Sequence, residues 1–177
     1  MTYQGANPPA WQAAVFAALK QAGITQVGYV PDAGHADLID AAHADPELTP
    51  VVLTTEEEGI ALAAGAWLGG KRAVLLMQSS GVGNCINMLS LPINCRMPFL
   101  SLVTMRGEWA EFNPWQVPMG AATEAALTAV GGHVRRAEHP ADVPEVVAAS
   151  AALAFDSRVP VAVLLSQRLI GAKVFVK

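Results

Sequence analysis

The chain has 177 residues, 53% of them hydrophobic and 15% charged, with a formal net charge of −4. That length fits one domain, and an apolar share above the usual ~45–50% predicts a large core with an apolar face left over for another chain. The acidic balance and the lack of a basic block argue against nucleic-acid binding. No apolar run nears the ~18 residues of a membrane span. Met1 to Gly5 carries no basic-then-apolar leader, so a cytoplasmic protein is expected.

Pro8-Pro9 leads into a helix over Ala10 to Ala22, where Trp11, Val15, Ala18 and Leu19 recur at helical spacing. Gln26 to Val30 reads as a strand ending at Pro31, and Asp37 to Ala44 as a helix with Leu38, Ile39 and Ala42 inward. Pro50 to Leu53 is a second strand, and Thr55 to Leu68 a very apolar helix. Ala73 to Met77 is an apolar run of strand length, followed by a turn at Ser79-Ser80-Gly81-Val82-Gly83 and a helix through Leu91. Phe99 to Thr104 is a fourth strand. Arg106 to Gly120 holds two Gly, two Pro, two Trp and two Glu without a period, which predicts a long functional loop. Helix, strand and helix resume over Ala121 to Val130, His133 to Arg136 and Val143 to Phe155, and Val159 to Leu165 is the sixth strand.

Short apolar strands alternating with helices predict an α/β fold: a doubly wound, six-stranded parallel sheet with helices on both faces, in one domain over residues 1–177. Ligands of such sheets bind beyond the carboxyl ends of the strands. Four segments fall there: Val30 to His35, Thr54 to Glu58, Gln78 to Asn84, and Thr104 onward.

Glu56, Glu57 and Glu58 open a helix. One reading is electrostatic, with acids at the positive helix end and Thr55 with Glu58 as a capping box. The other singles out Glu56, which shares a helix face with Ile60, Ala63 and Trp67. A carboxylate on an apolar stripe is expensive to bury unless something binds it. The Gly-x-Gly turn after the third strand fits a phosphate at a helix start, a tight structural turn, or backbone approaching a flat heterocycle. It lacks the full dinucleotide glycine pattern and a P-loop Lys. Asp32 and His35 form an ordinary turn or, with a site at the strand ends, the nearest groups able to move protons. Arg106 suits bidentate recognition of an anion, or pairs within its loop with Glu108 or Glu111. Cys85 and Cys95 read as reduced core thiols. No Cys-x-x-Cys or His/Cys cluster is present, so no metal site is expected from this chain alone.

Taken together, these segments resemble the pyrimidine-binding domain of thiamin diphosphate-dependent 2-oxo acid decarboxylases. The run Glu56-Glu57-Glu58-Gly59-Ile60-Ala61-Leu62-Ala63-Ala64-Gly65 is similar to that family's glutamate helix, with Ala63 and Gly65 setting the register that selects Glu56. Met77-Gln78-Ser79-Ser80-Gly81-Val82-Gly83-Asn84 resembles the turn of the sulfopyruvate and phosphonopyruvate decarboxylase branch. The loop Met105-Arg106-Gly107-Glu108-Trp109, continuing through Asn113 to Gly120, is similar to that of sulfopyruvate decarboxylase alpha subunits.

The resemblance implies a carboxy-lyase acting on a small 2-oxo acid, sulfopyruvate or alternatively phosphonopyruvate. A non-catalytic regulatory domain of the same fold is the remaining alternative. It implies thiamin diphosphate and Mg2+ as cofactors, with Glu56 on N1′ of the aminopyrimidine and Ser80, Gly81, Val82, Gly83 and Asn84 against the cofactor. Asp32 or His35 then assists proton transfer, and Arg106, Gln78 and Gln116 contact substrate. Full-length members carry a Gly-Asp-Gly motif for magnesium and diphosphate. This sequence has none, which implies a partner beta subunit that supplies that domain.

Overall fold

The computed structural model describes residues 10–171. The expectations for Pro8-Pro9 and for Met1 to Gly5 lie outside the described residues. The chain alternates as anticipated, through α1 (Ala10–Gln21), β1 (Ile24–Tyr29), α2 (Ala36–Ala44), β2 (Thr49–Val52), α3 (Glu56–Leu68) and β3 (Arg72–Gln78). It continues through α4 (Ser79–Cys85), α5 (Ser90–Cys95), β4 (Phe99–Thr104), α6 (Val117–Ala129), β5 (His133–Ala137), α7 (Val143–Ser157), β6 (Pro160–Leu165) and α8 (Gln167–Ile170). Short 3₁₀ turns span Ala33–His35 and Pro114–Gln116.

The six strands form one sheet in the order β2-β1-β3-β4-β6-β5, every pairing parallel. Central strands β4 and β6 are buried at every position, whereas edge strand β5 alternates. A parallel strand covered on both faces must be apolar throughout, which is why Phe99–Thr104 and Pro160–Leu165 read as continuous runs and His133–Ala137 does not.

Two cores lie on the two faces. One gathers Trp11, Val15 and Leu19 of α1, Leu38 of α2 and Val143, Val147 and Phe155 of α7 over Val74, Leu76, Leu102 and Val163. The other gathers Ile60 and Ala63 of α3, Val82 and Cys85 of α4 and Leu127 of α6 over Leu75, Met77, Val103 and Leu164. The alternation of Val74 and Leu76 against Leu75 and Met77 is the period of two that sends neighbouring side chains to opposite faces.

The chain runs from β1 out to β2, then returns to place β3 on the other side of β1. Sheets with such a reversal offer a ligand the place beyond the carboxyl ends of the strands where it occurs, here those of β1 and β3. Close packing positions α3 beside it. A Cβ on Gly59 would lie 2.4 Å from Leu75 Cδ1, so a side chain there would have to push Leu75 aside for α3 to sit this near β3. Glu56 is one turn earlier on the same helix.

Two local expectations are corrected. Ser79–Gly83 is no turn, because α4 begins at Ser79 directly after the extended Gln78. Its glycines are helical, and Gly81 is there for contact rather than chain reversal, as shown below. Arg106–Gly120 is also shorter as a loop than predicted, since α6 starts at Val117 with Pro118 in its first turn, a position where the missing N–H costs nothing.

Candidate active site

Glu56 is the first residue of α3 and is 9% exposed. Asn84 Nδ2 donates to its Oε2 at 2.8 Å. Gly81 of α4 faces the same carboxylate, and a Cβ there would stand 2.3 Å from Glu56 Cδ and Oε1. The carboxylate therefore lies in a slot between α3 and α4, with one oxygen held by an amide and the other against bare backbone. Its neighbours do different work. Glu57 and Glu58 are exposed, and Glu58 Oε2 accepts from Thr54 N at 2.8 Å. The capping box is thus displaced by one residue: Thr55 occupies the cap, but its side chain makes no capping bond.

A second polar group lies at the ends of β1, β3 and β4. Asp32 Oδ2 accepts from Thr104 Oγ1 at 2.7 Å and from Gly34 N at 3.1 Å, and its Oδ1 accepts from Gln78 Nε2 at 3.0 Å. Gln78 Oε1 in turn accepts from Ser80 Oγ at 2.9 Å. The chain Thr104–Asp32–Gln78–Ser80 leads into the first turn of α4, next to Gly81 and hence to Glu56. Three segments distant in sequence meet here because parallel strands all end on one side of the sheet.

The structure separates His35 from Asp32. His35 is 0% exposed, with Nε2 3.2 Å from Met77 O and 3.1 Å from Leu102 O. A proton on Nε2 donates to both carbonyls and bridges β3 to β4. Burial in this dry position pushes its pKa below the usual 6.5, against a smaller opposite pull from Asp32. Val82, expected beside the cofactor, has its side chain in the core at 0% exposure, while Gly83 and Asn84 are exposed. Ala63 is in the core, and a Cβ on Gly65 would meet nothing within 4 Å.

Arg106 is 7% exposed and forms a fork with Glu111, Nε and Nη2 donating at 2.7 and 2.6 Å. Of the two readings left open for this residue, the pair within the loop is the one formed. Glu111 also accepts from Gly107 N, Asn113 N and Gln167 Nε2. The Arg106 guanidinium, ahead of these amide donors, holds the Glu111 carboxyl down at about 2. Two close backbone approaches shut the loop: Gly107, at φ +78°, lies against Gln116 O, and Gly120 against Arg106 O. Gln116 is half-buried in the 3₁₀ turn, and its side-chain oxygen is enclosed without a hydrogen-bond partner.

Thr104 and Gln167 join the candidate site beyond the residues the sequence points to, whereas Glu111 is one of the two loop partners expected for Arg106. Gln167, 2% exposed, accepts from Glu108 N and Trp109 N through its side-chain oxygen and donates from its backbone N to Glu108. Thr104 carried a legible signal, a hydroxyl closing an apolar strand. Gln167 carried none, because its partners are 56 to 59 residues away.

Acid is expected to weaken the fold in two stages. Unfolded His35 takes up a proton below about 6.5 while the folded residue resists, so stability falls as pH drops through that value. Glu111 has the depressed carboxylate's sign: its contribution is complete above 4.5 and is lost as pH falls toward about 2. Urea midpoints measured across pH should show the first decline in the wild type and not in His35→Gln. A midpoint that stays level as pH falls below 6.5 would contradict the assignment.

Fold and site together define a doubly wound α/β domain that presents a buried, amide-held carboxylate at the switch point of its sheet. Residues 11–111 match the family described as thiamine pyrophosphate enzyme, N-terminal TPP binding domain, and the chain belongs to that family. It is 38% identical to sulfopyruvate decarboxylase subunit alpha of Methanothermobacter thermautotrophicus, over 86% of this chain and 93% of that protein. It is 32% identical to the subunit of the same name from Methanocaldococcus jannaschii, over 85% of this chain and 90% of that protein. Phosphonopyruvate decarboxylase of Streptomyces viridochromogenes is 40% identical over 54% of this chain and 24% of its own length. Among solved structures, 2-oxoglutarate:ferredoxin oxidoreductase from Magnetococcus marinus superposes with a TM-score of 0.75 at 18% identity, covering 90% of this chain and 29% of that one. At that identity the likeness is one of fold. No described helix is long and apolar enough to cross a membrane, and among the described residues no three His, Cys, Asp or Glu side chains gather as a metal site.

Proposed function

We propose that this chain is the alpha subunit of a thiamin diphosphate-dependent decarboxylase that converts sulfopyruvate to sulfoacetaldehyde and CO2. Glu56 activates the cofactor's aminopyrimidine, and a partner beta subunit supplies the magnesium and diphosphate site. The observation that carries the reading is the Glu56 slot. Asn84 occupies Oε2, which leaves Oε1, beside Gly81, to accept a hydrogen bond from a ring nitrogen. Because Gly81 withholds a side chain, the carboxylate itself can stand between α3 and α4.

When bound, thiamin diphosphate supplies the electron sink for the pair released as CO2 leaves. The residues of this chain do the rest. Glu56 holds the ring proton, and Asn84 fixes the carboxylate rotamer so that no reorganisation is needed at the moment of reaction. Asp32, oriented by Thr104 and Gln78, moves the proton that completes the aldehyde. His35, enclosed between β3 and β4, holds those strand ends in place. Gln78 and Gln116 contact the substrate, and Ser80 the cofactor. Arg106 reaches a substrate anion only by exchanging Glu111 for it.

The partner is supported by the exposed face of α3, where Glu57, Ala61, Gly65 and Leu68 lie at helical spacing and Leu68 is 74% exposed. The subunit names of the relatives support it as well. The identity to a phosphonopyruvate decarboxylase favours phosphonopyruvate as the second candidate substrate. The test is CO2 release from each 2-oxo acid with and without the beta chain. Sulfopyruvate turnover that requires both chains is expected. Turnover by this chain alone, or preference for phosphonopyruvate, would overturn the corresponding part.

A further inference from the structure

Asp32 is half-buried and accepts three hydrogen bonds, from Gly34 N, Gln78 Nε2 and Thr104 Oγ1. All three donors suit an ionised carboxylate. A residue that moves protons must also exist as the neutral acid, whose O–H needs an acceptor. A backbone N–H and an amide NH2 can only donate. Of these three partners, the Thr104 hydroxyl alone can reverse its role, since it carries one hydrogen and two lone pairs.

The surroundings of Thr104 provide for that reversal. Its Oγ1 stands 2.7 Å from Asp32 Oδ2 and 3.3 Å from Met77 O, so its single hydrogen has two acceptors to choose between. Met77 O also takes His35 Nε2 at 3.2 Å, and a carbonyl has two lone pairs, enough for both. Thr104 is 1% exposed, so both choices lie inside the protein. Gly34 lets the two side chains meet: a Cβ there would lie 2.8 Å from Thr104 Cγ2 and 2.9 Å from Asp32 Oδ2. Of the side chains joined here, His35 is the other one that titrates, and its burial favours the neutral ring. Gln78 and Thr104, which reach Asp32 from β3 and β4, carry no charge.

Resting on the proton-transfer role given to Asp32 above, we propose that Thr104 is a positioning residue that serves Asp32 in both of its charge states. When Asp32 takes up a proton on Oδ2, Thr104 Oγ1 accepts that O–H, and its own hydrogen turns to Met77 O. When Asp32 gives the proton up, the hydrogen turns back. One proton is gained and lost, on Asp32 alone, and no heavy atom has to move. The carboxyl keeps one orientation through the proton step, which spares its reorganisation. A hydroxyl with a purely structural use would need one acceptor, not two.

Thr104→Val keeps the shape of the side chain, including the methyl beside Gly34, and removes only the hydroxyl. In the enzyme assembled with its beta subunit it should lower kcat by about 10–100-fold, with KM and cofactor affinity unchanged. Thr104→Ser, which restores the hydroxyl, should recover most of the rate. Because Thr104 acts through Asp32, Thr104→Val with Asp32→Asn should be no slower than Asp32→Asn alone. In the chain alone, the Met77 carbonyl 13C resonance should move with the Asp32 carboxyl resonance as pH falls from neutral. In Thr104→Val the carboxyl should still titrate while the carbonyl stays still. A normal kcat in Thr104→Val beside a slow Asp32→Asn would overturn the role of Thr104 and leave that of Asp32 standing. Losses that multiply in the double variant would overturn it too, as would a Met77 carbonyl that follows the His35 ring and moves equally without the hydroxyl. A wild-type rate in Asp32→Asn would remove the proton role of Asp32, and this proposal with it.

Discussion

Replacing Glu56 with Gln is expected to slow exchange of the cofactor's C2 proton by about 10²–10⁴-fold in the assembled enzyme, with little change in stability. The two effects separate because of how the carboxylate is held. Gln has the same length, and its amide oxygen accepts from Asn84 as Oε2 does now. It fills the slot against Gly81 equally well. What it lacks is the charge that holds a proton on the pyrimidine ring. Exchange measured by deuterium incorporation, beside a urea midpoint, reads both quantities, and exchange at the wild-type rate would sink the role proposed for Glu56. Asn84→Ala should reproduce a weaker form of the defect, since it frees the carboxylate to rotate while leaving its charge.

The second large effect is expected from Gly81→Ala. The added Cβ would stand 2.3 Å from Glu56 Cδ, against the ~3.5–4 Å of an ordinary carbon contact, so the carboxylate must move by over an ångström. A misplacement of that size costs about 10²-fold in rate. Stability responds less, because two terms oppose. Overpacking costs roughly 1–3 kcal/mol, while Ala in place of a helical Gly returns about 1 kcal/mol. The variant should fold, melt within a few degrees of wild type, and fail in turnover. Gly83→Ala, two residues on, meets only the Met119 side chain, at 3.5 and 3.7 Å, and should gain stability through helix propensity alone. A Gly81→Ala enzyme with normal turnover would show that Glu56 does not need its present position.

Much of the architecture is legible without coordinates. Runs such as Phe99–Thr104 are apolar at every position because their strands are buried on both faces, and that pattern alone predicts a parallel α/β sheet. The register of Glu56 on an apolar helix face is equally local, as is the difference between it and the solvent-facing Glu57 and Glu58. These properties depend on residues within a turn or two of each other, where spacing along the chain determines position in space.

What only the tertiary structure decided depends on partners far along the chain. The glycine at position 81 is helical rather than part of a turn, and it is needed because it lies against a side chain 25 positions earlier. Asp32 and His35, three residues apart, part company because Thr104 and Gln78 claim the carboxylate, while the carbonyls of Met77 and Leu102 claim the imidazole. Arg106 had two acids within five residues, and Gln167 helps hold the chosen one, Glu111, in place. Helical and strand periods are written in near neighbours. The partner of a buried polar group is settled by which strands the sheet brings side by side.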